Sequence, residues 1–352
     1  MRSKLGRISV ALICFIAALG VTQLSFRAFK AADTLPGQYT DAEFWRMVTD
    51  FSEAGGDYQY ENFVSNEISY QEVLPELSRL VKQGGVYFGV ASEQNFTYID
   101  VVRPKVAFIF DVRRQNTLLL LMYKALFEMA DNRADFVSLL FSRKRPAGLD
   151  ADSSVDVLFQ AYADAKPDPQ LYAATLKEIK DRLTRRHHFA LSEDDQQKIE
   201  YIFSVFSRGG PRMDYGFAST APNPYVPSYH MLAVATDGHG KNWVYLNREE
   251  SYKHIREMQQ KNLIVPLVGD FTGAKTIKTV SQYVKDHGST ISIFYISNVE
   301  DYIQSKWSAY LSNLAALPSD NATLLIRFEP YNFTTLGKIE GVPPQWPGTY
   351  YH

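Results

Sequence analysis

Two rhythms of apolar and polar residues alternate along most of this chain. Thr40 and Glu43 have the spacing of a capping box, and Phe44, Trp45, Val48 and Phe51 follow on one helical face. A second such pair, Ser69 with Glu72, precedes Val73, Leu77, Leu80 and Val81. The run 86–91 is short, β-rich and apolar on both faces, which predicts a strand covered on both sides, as in a parallel sheet. A helix over 93–102 is stopped by Pro104, and a strand over 106–110 ends in Asp111. A long apolar helix follows over 115–129. Further strands are predicted at 231–235, 263–268, 291–296 and 324–326, with helices near 249–261, 273–287 and 299–315 between most of them. Repeated strand–helix alternation predicts an α/β fold with a doubly wound, mostly parallel sheet.

Residues 144–208 interrupt that alternation with polar, helix-forming sequence. Val155, Leu158, Phe159 and Tyr162 make one apolar stripe, and Ile199, Ile202, Phe203 and Phe206 another. This reads as a helical insertion within one domain over 40–330. It leads into a loop, 209–229, where Pro211, Pro222, Pro224 and Pro227 stand beside Tyr215, Phe217 and Tyr225. Loops this long are functional lids or disordered segments, and the aromatics favour a packed lid. Insertion and loop together occupy 144–229, and 331–352 reads as a Pro/aromatic tail.

The other end has a different character. Arg2, Lys4 and Arg7 precede an apolar stretch over 8–26, the pattern of a secretory signal. At about 19 residues it is just long enough to span a bilayer. Residues 1–30 are therefore expected to target a membrane, as an uncleaved anchor rather than a cleaved signal, with 31–39 as a polar linker. Positive residues gathered before the segment place the N-terminus in the cytoplasm and the body outside it. The single cysteine, Cys14, lies inside this stretch, and bulky Ile13 beside it fits a lipoprotein acceptor site poorly. The body accordingly has no disulfide, thiolate nucleophile or cysteine metal site.

A chain of 352 residues has room for one large domain with an insertion. Its formal charge of −2 argues against a general nucleic-acid binder, and Arg143-Lys144-Arg145 and Arg185-Arg186 read as solvated helix ends. The seven histidines lack metal-ligand spacing, so no metal is expected. Neither a G-x-S-x-G elbow nor a P-loop occurs.

In doubly wound sheets ligands sit at the carboxyl ends of the strands, near the switch point. Gly89 near the end of the first strand would let a ligand approach the backbone, and the following helix start, Glu93-Gln94-Asn95, offers N–H groups to an anion. Asp111 lies 22 positions beyond Gly89, near the spacing of an acid that bonds ribose hydroxyls, although no G-x-G-x-x-G is present. Asp111 could equally cap the following helix. Arg113 or Arg114 could clamp an anion, or pair with Glu67 or Glu93. Asn66 and Glu67 precede the first strand and could reach the same crevice, or cap the Ser69 helix. Asp270, after the predicted strand 263–268, is a candidate acid, base or ligand contact, with an N-cap as its rival role; Ser297 and Asn298 end the next strand. Convergence of these residues on one sheet edge marks a candidate pocket.

Several segments carry a resemblance. Ser65-Asn66-Glu67, Gly85-Val86-Tyr87-Phe88-Gly89-Val90, Glu93-Gln94-Asn95-Phe96-Thr97-Tyr98 and Phe108-Ile109-Phe110-Asp111-Val112-Arg113-Arg114 resemble an uncharacterised bacterial domain-of-unknown-function family. Val265-Pro266-Leu267-Val268-Gly269-Asp270-Phe271 and Phe294-Tyr295-Ile296-Ser297-Asn298-Val299-Glu300 do so too, and the likeness spans roughly 55–328. It implies a Rossmann-like fold resembling S-adenosylmethionine-dependent methyltransferases, with no established substrate. On that reading Gly89, Glu93, Gln94, Asn95, Asp111 and Arg113 hold S-adenosylmethionine, and Asp270 or Tyr98 stands near the methyl acceptor. Methyltransferases usually carry a glycine-rich first loop, whereas here one glycine is followed by Ala91-Ser92-Glu93. The alternative expectation is an exported, membrane-anchored, non-catalytic protein that uses the crevice for another small polar ligand, or as a scaffold.

Overall fold

Strands Val86–Val90 (β1) and Val106–Asp111 (β2) are buried along their whole length, as their near-continuous apolar sequence requires. They pair in parallel at the centre of a six-stranded sheet in the computed structural model, which describes residues 33–58, 60–216, 226–329 and 333–338. Ile264–Val268 (β3) pairs with β2, and Ile291–Ser297 (β4) pairs with the other edge of β1. Leu324–Glu329 (β5) and Phe333–Lys338 (β6) complete the order β3-β2-β1-β4-β5-β6, in which only β6 is antiparallel. The chain thus runs outward from β1 to β3, then crosses back to β4. That reversal opens a crevice between β1 and β4 at their carboxyl ends. The fold is mixed α/β, with twelve α-helices among the described residues.

Local sequence sets several of these helices. Asp41–Asp50 (α1) begins at the expected capping box: the Glu43 N–H donates to Thr40 Oγ1 at 3.2 Å, and the Thr40 N–H donates to Glu43 Oε2 at 2.8 Å. The second expected box does not form. Ser69 Oγ bonds Thr334 Oγ1 at 3.0 Å instead, and helix Leu74–Leu80 (α2) starts at the turn containing Pro75, whose fixed φ suits a first turn. Gln94–Val102 (α3) links β1 to β2. The apolar Arg114–Met129 (α4) packs on β2 and β3.

Arg133–Phe141 (α5), Val155–Ala163 (α6), Pro169–Asp181 (α7) and Glu193–Gly209 (α8) follow. The expected insertion is helical, and α8 packs on α4 and α5, extending one core rather than forming another. Tyr229–Val234 (α9) corrects the strand expected at 231–235. Ser228 Oγ accepts the Met231 N–H at 3.2 Å, and Tyr229, Leu232 and Ala233 are buried while Met231 is 53% exposed. That is helical spacing, and Ser228 supplies the cap. Glu249–Gln260 (α10), Thr276–Asp286 (α11) and Trp307–Ala316 (α12) separate the later strands.

Both expected flanks differ from their sequence reading. The linker 31–39 is packed from residue 33 onward: Leu35 and Tyr39 are buried, the Thr34 N–H donates to the His287 carbonyl at 2.9 Å, and Asp33 pairs with Lys105 at 2.9 Å. The tail 331–352 contains β6, which extends the sheet. Segment 1–30, residues 217–225 of the expected lid and the remainder of the tail lie outside the described residues. Among the described residues no helix is long and apolar enough to cross a membrane.

Candidate functional site

The carboxyl ends of β1, β2, β3 and β4 border a cavity of about 250 Å³. Val90 and Ala91 come from β1, Asp111 to Arg113 from β2, Gly269 to Phe271 from β3, and Ser297 and Asn298 from β4. The loop before α2 contributes Asp57, Tyr58, Asn62 and Asn66.

Two facing strand ends are conformationally strained. Ala91 has φ +66° and Ser297 has φ +55°, the left-handed region that side chains with a Cβ rarely adopt. Each costs about 1 kcal/mol, a strain that proteins tend to retain at functional sites. Ala91→Gly is therefore expected to raise the unfolding free energy by about 1 kcal/mol in a urea titration. A lower value would mean that the lost methyl outweighs the relieved backbone.

Asp111 is buried at the cavity floor and is held by Arg113. The Arg113 backbone N–H and Nε donate to Oδ1 at 2.8 and 3.0 Å, and Nη2 donates to Oδ2 at 2.8 Å. Three of the roughly four acceptor positions of the carboxylate are thus taken. Arg113 also donates to the Tyr60 carbonyl at 3.0 Å and lies over the Tyr58 ring, 5.4 Å from its centroid. Asp111 does not cap α4, whose N-cap is Arg113 without a side-chain bond. Arg114 pairs with Asp195 at the start of α8, at 3.0 and 3.1 Å, so neither arginine meets Glu67 or Glu93.

Asp270 accepts the Thr272 N–H at 2.7 Å and its hydroxyl at 2.8 Å, and Oδ2 stands 3.6 Å from Lys306 Nζ. It does not cap α11. Glu53 does so, accepting the Thr276 N–H at 2.7 Å.

Glu67 is only 2% exposed, directly behind Ser297. It takes hydrogen bonds from Tyr295 Oη at 2.8 Å, Gln94 Nε2 at 2.9 Å and Ser297 Oγ, all uncharged. Burial, only partly offset by these bonds, pushes its pKa above the ordinary glutamate value.

The remaining candidates lie away from the cavity. Asn95 pins the β1–α3 turn: its Oδ1 accepts Tyr87 Oη at 2.8 Å, and its Nδ2 donates to the Val90 and Ser92 carbonyls at 2.8 and 2.7 Å. A Cβ at Gly89 would stand 2.0 Å from Asn95 Oδ1, so that glycine serves packing with Asn95 and Tyr87 rather than a ligand's approach. Gln94 is taken up by Glu67, Tyr295 and Tyr98, and the Tyr98 hydroxyl donates to the Tyr70 carbonyl at 3.2 Å. Glu93 borders a second, smaller cavity of about 10 Å³ with Tyr70, Tyr229 and Tyr245. Of the expected cofactor contacts, the structure brings Asp111 and Arg113 to the crevice, together with Asn66, Asp270, Ser297 and Asn298; Gly89, Glu93, Gln94, Asn95 and Tyr98 are not among its lining residues.

A family model described as a domain of unknown function, DUF7790, matches residues 62–338. This chain belongs to the DUF7790 family. No curated protein matches it. The DUF7790 region takes in all six strands and every crevice residue except Asp57 and Tyr58.

Sequence reasoning missed the aromatic rim of the DUF7790 crevice. Tyr58 and Tyr302 stand with ring centroids 5.3 Å apart, Tyr58 and Tyr60 5.7 Å apart, and Tyr60 and Tyr215 5.7 Å apart. Tyr58, Tyr215 and Tyr302 line the cavity, as does Lys306. Tyr215 belongs to the loop expected to form a packed lid; for Tyr58, Tyr60 and Tyr302 the available signal was the richness in tyrosine, 22 residues.

Proposed function

We propose that this DUF7790 protein is a Rossmann-like, methyltransferase-type protein whose switch-point crevice binds a nucleoside of the S-adenosylmethionine class. One observation carries the reading: an acid at the tip of β2, Asp111, borders a cavity at the β1/β4 reversal of a 3-2-1-4-5 sheet. The tyrosine rim suits a flat base. Asp57, Asp111 and Asp270 set against Arg113 and Lys306 suit a ligand carrying positive charge. The residues fit a nucleoside held by one ribose hydroxyl on the remaining acceptor of Asp111 and by ring contact with the tyrosines. Bound S-adenosylmethionine would supply an electrophilic methyl group, and the chain's part would be to position it and its acceptor, with Asp270 at the acceptor side.

Titration calorimetry of the full-length chain with S-adenosylhomocysteine tests this. Micromolar binding that weakens at least about tenfold in Asp111→Ala, a loss of about 1.4 kcal/mol, is the expected result. A folded wild-type chain that takes up no heat rejects the nucleoside.

A second reading is favoured by the engagement of Asp111. A ribose diol brings two donors, whereas Arg113 leaves room for one. The cavity is also smaller than the roughly 300–1,000 Å³ of most ligand sites. On this reading residues 1–30 anchor the protein to a membrane, the body lies outside the cytoplasm, and the crevice takes another small polar ligand. S-adenosylmethionine is a cytoplasmic metabolite, so protease accessibility of the body in intact cells separates the two: protection favours the nucleoside, digestion the exported module.

A further inference from the structure

We propose that Ser297 is a nucleophile activated by the carboxylate of Glu67, and that the crevice cleaves small carboxylic esters through an acyl-serine. The inference goes beyond the nucleoside reading and does not rest on it. It shares only the crevice with the second reading.

Three observations converge on this pair. Ser297 ends β4 in a left-handed conformation (φ +55°) and lines the cavity, so its hydroxyl belongs to a sharp strand exit beside the cavity. Its Oγ donates to Glu67 Oε1, to which Tyr295 Oη also donates at 2.8 Å, and Gln94 Nε2 donates to Oε2 of the same carboxylate at 2.9 Å. Nucleophile, base and orienting groups in hydrogen-bonded sequence are the arrangement by which hydroxyls are activated. Among the described residues none of the hydrogen-bond partners of Glu67 is a cation. A guanidinium there would make the carboxylate a weak base. Burial without one makes it a stronger base. Asn62 and Asn66 line the same cavity and carry amide groups of the kind that stabilise a developing oxyanion, whereas the Asn298 side chain bonds Asp301.

The chemistry balances with water as the only co-reactant. Ser297 Oγ attacks the ester carbonyl carbon while Glu67 takes its proton. The tetrahedral adduct expels the alkoxide, which recovers that proton and leaves as an alcohol. Water then attacks the acyl-serine, giving its proton to Glu67, and Ser297 departs from the adduct with that proton as the carboxylic acid is released. A cavity of about 250 Å³ rimmed by Tyr58, Tyr215 and Tyr302 selects short acyl chains and flat, apolar alcohols.

A merely structural Glu67, tying the loop before α2 to β4, would give the same hydrogen bonds without a reactive serine. Covalent labelling separates the cases. The full-length chain is treated at pH 8 with diisopropyl fluorophosphate, where an O–P bond forms, the P–F bond breaks and fluoride leaves, and the adduct is mapped by peptide mass. The expected result is an adduct on Ser297 that is absent from Ser297→Ala. Glu67→Gln, which keeps the shape but cannot take the proton, is expected to slow labelling about 100-fold. If the buried amide prevents folding, Glu67→Asp withdraws the carboxylate by one methylene and must slow labelling as well. A folded wild-type chain with no adduct on Ser297 overturns the proposal, as does a folded Glu67 variant labelled at the wild-type rate.

Discussion

Arg133→Ala is expected to unfold the protein under conditions where the wild type is native. Arg133 is 1% exposed at the start of α5. Its Nε donates to Glu249 Oε1 at 3.2 Å, and Nη1 donates to the Leu246 and Asn247 carbonyls at 2.9 and 2.8 Å. Nη2 donates to the Ala151 carbonyl at 2.7 Å and to that of Ser153. One planar fork thus ties α5 to the first turn of α10 and to the loop before α6. Removing one partner of a buried ion pair costs about 3–5 kcal/mol, and the orphaned, buried Leu246 carbonyl adds roughly 1–3 kcal/mol. The sum reaches much of the 5–15 kcal/mol by which domains are stable. Arg133→Lys should recover little, because a single ammonium cannot span acceptors arranged for a fork. Urea midpoints check this, and a midpoint near wild type for Arg133→Ala would show that the surrounding carbonyls find other donors.

Glu93→Gln has the opposite sign and depends on pH. Glu93 is 3% exposed, its Oε2 is buried without a partner among the described residues, and burial pushes its pKa from the ordinary 4.5 to about 7. Between those values the folded chain keeps a proton that the unfolded chain has lost. The Glu93 contribution to stability should therefore be full below about pH 4.5 and be lost as pH rises to about 7, about 3 kcal/mol in all. The groups around Glu93, Ser92 and the hydroxyls of Tyr70, Tyr123, Tyr229 and Tyr245, do not titrate in this window, because burial raises all four tyrosines further. A glutamine has no such proton to lose. The variant is expected to exceed wild type by about 3 kcal/mol at pH 8 and to match it near pH 4. Glu67 titrates in both chains and cancels from the comparison. Parallel pH profiles for the two proteins would mean that Glu93 gains no proton on folding.

Elements whose pattern is local were legible in the sequence. The buried runs of β1 and β2, the Thr40 capping box and the stripes of α6 and α8 rest on residues a few positions apart. Short apolar runs were less so. The 231–235 segment suits a strand or a helix equally until Ser228 caps it, and 333–338 becomes β6 only because β5 presents an open edge. Ser69 and Glu72 had the spacing of a cap, yet Ser69 met Thr334 and Pro75 set the helix start.

The crevice divides in the same way. Asp111, Asp270, Ser297 and Asn298 could be named because each follows an apolar strand, and a parallel sheet gathers such ends on one edge. Arg113 bonds an acid two residues away, but nothing local said that it would take three acceptor positions there. Glu67 and Ser297 are 230 residues apart in sequence, and Gln94 and Tyr295 are 201 apart. Tyr58 and Tyr302 likewise come from opposite ends of the domain. Hydrophobic periodicity and turn chemistry act over a few residues, so the sequence alone determined which segments became strands and which polar residues ended them. Which of those residues touch, which carboxylates lose water and which find a cation depended on the β1/β4 reversal and on the loop packed against it, and only the tertiary structure decided that.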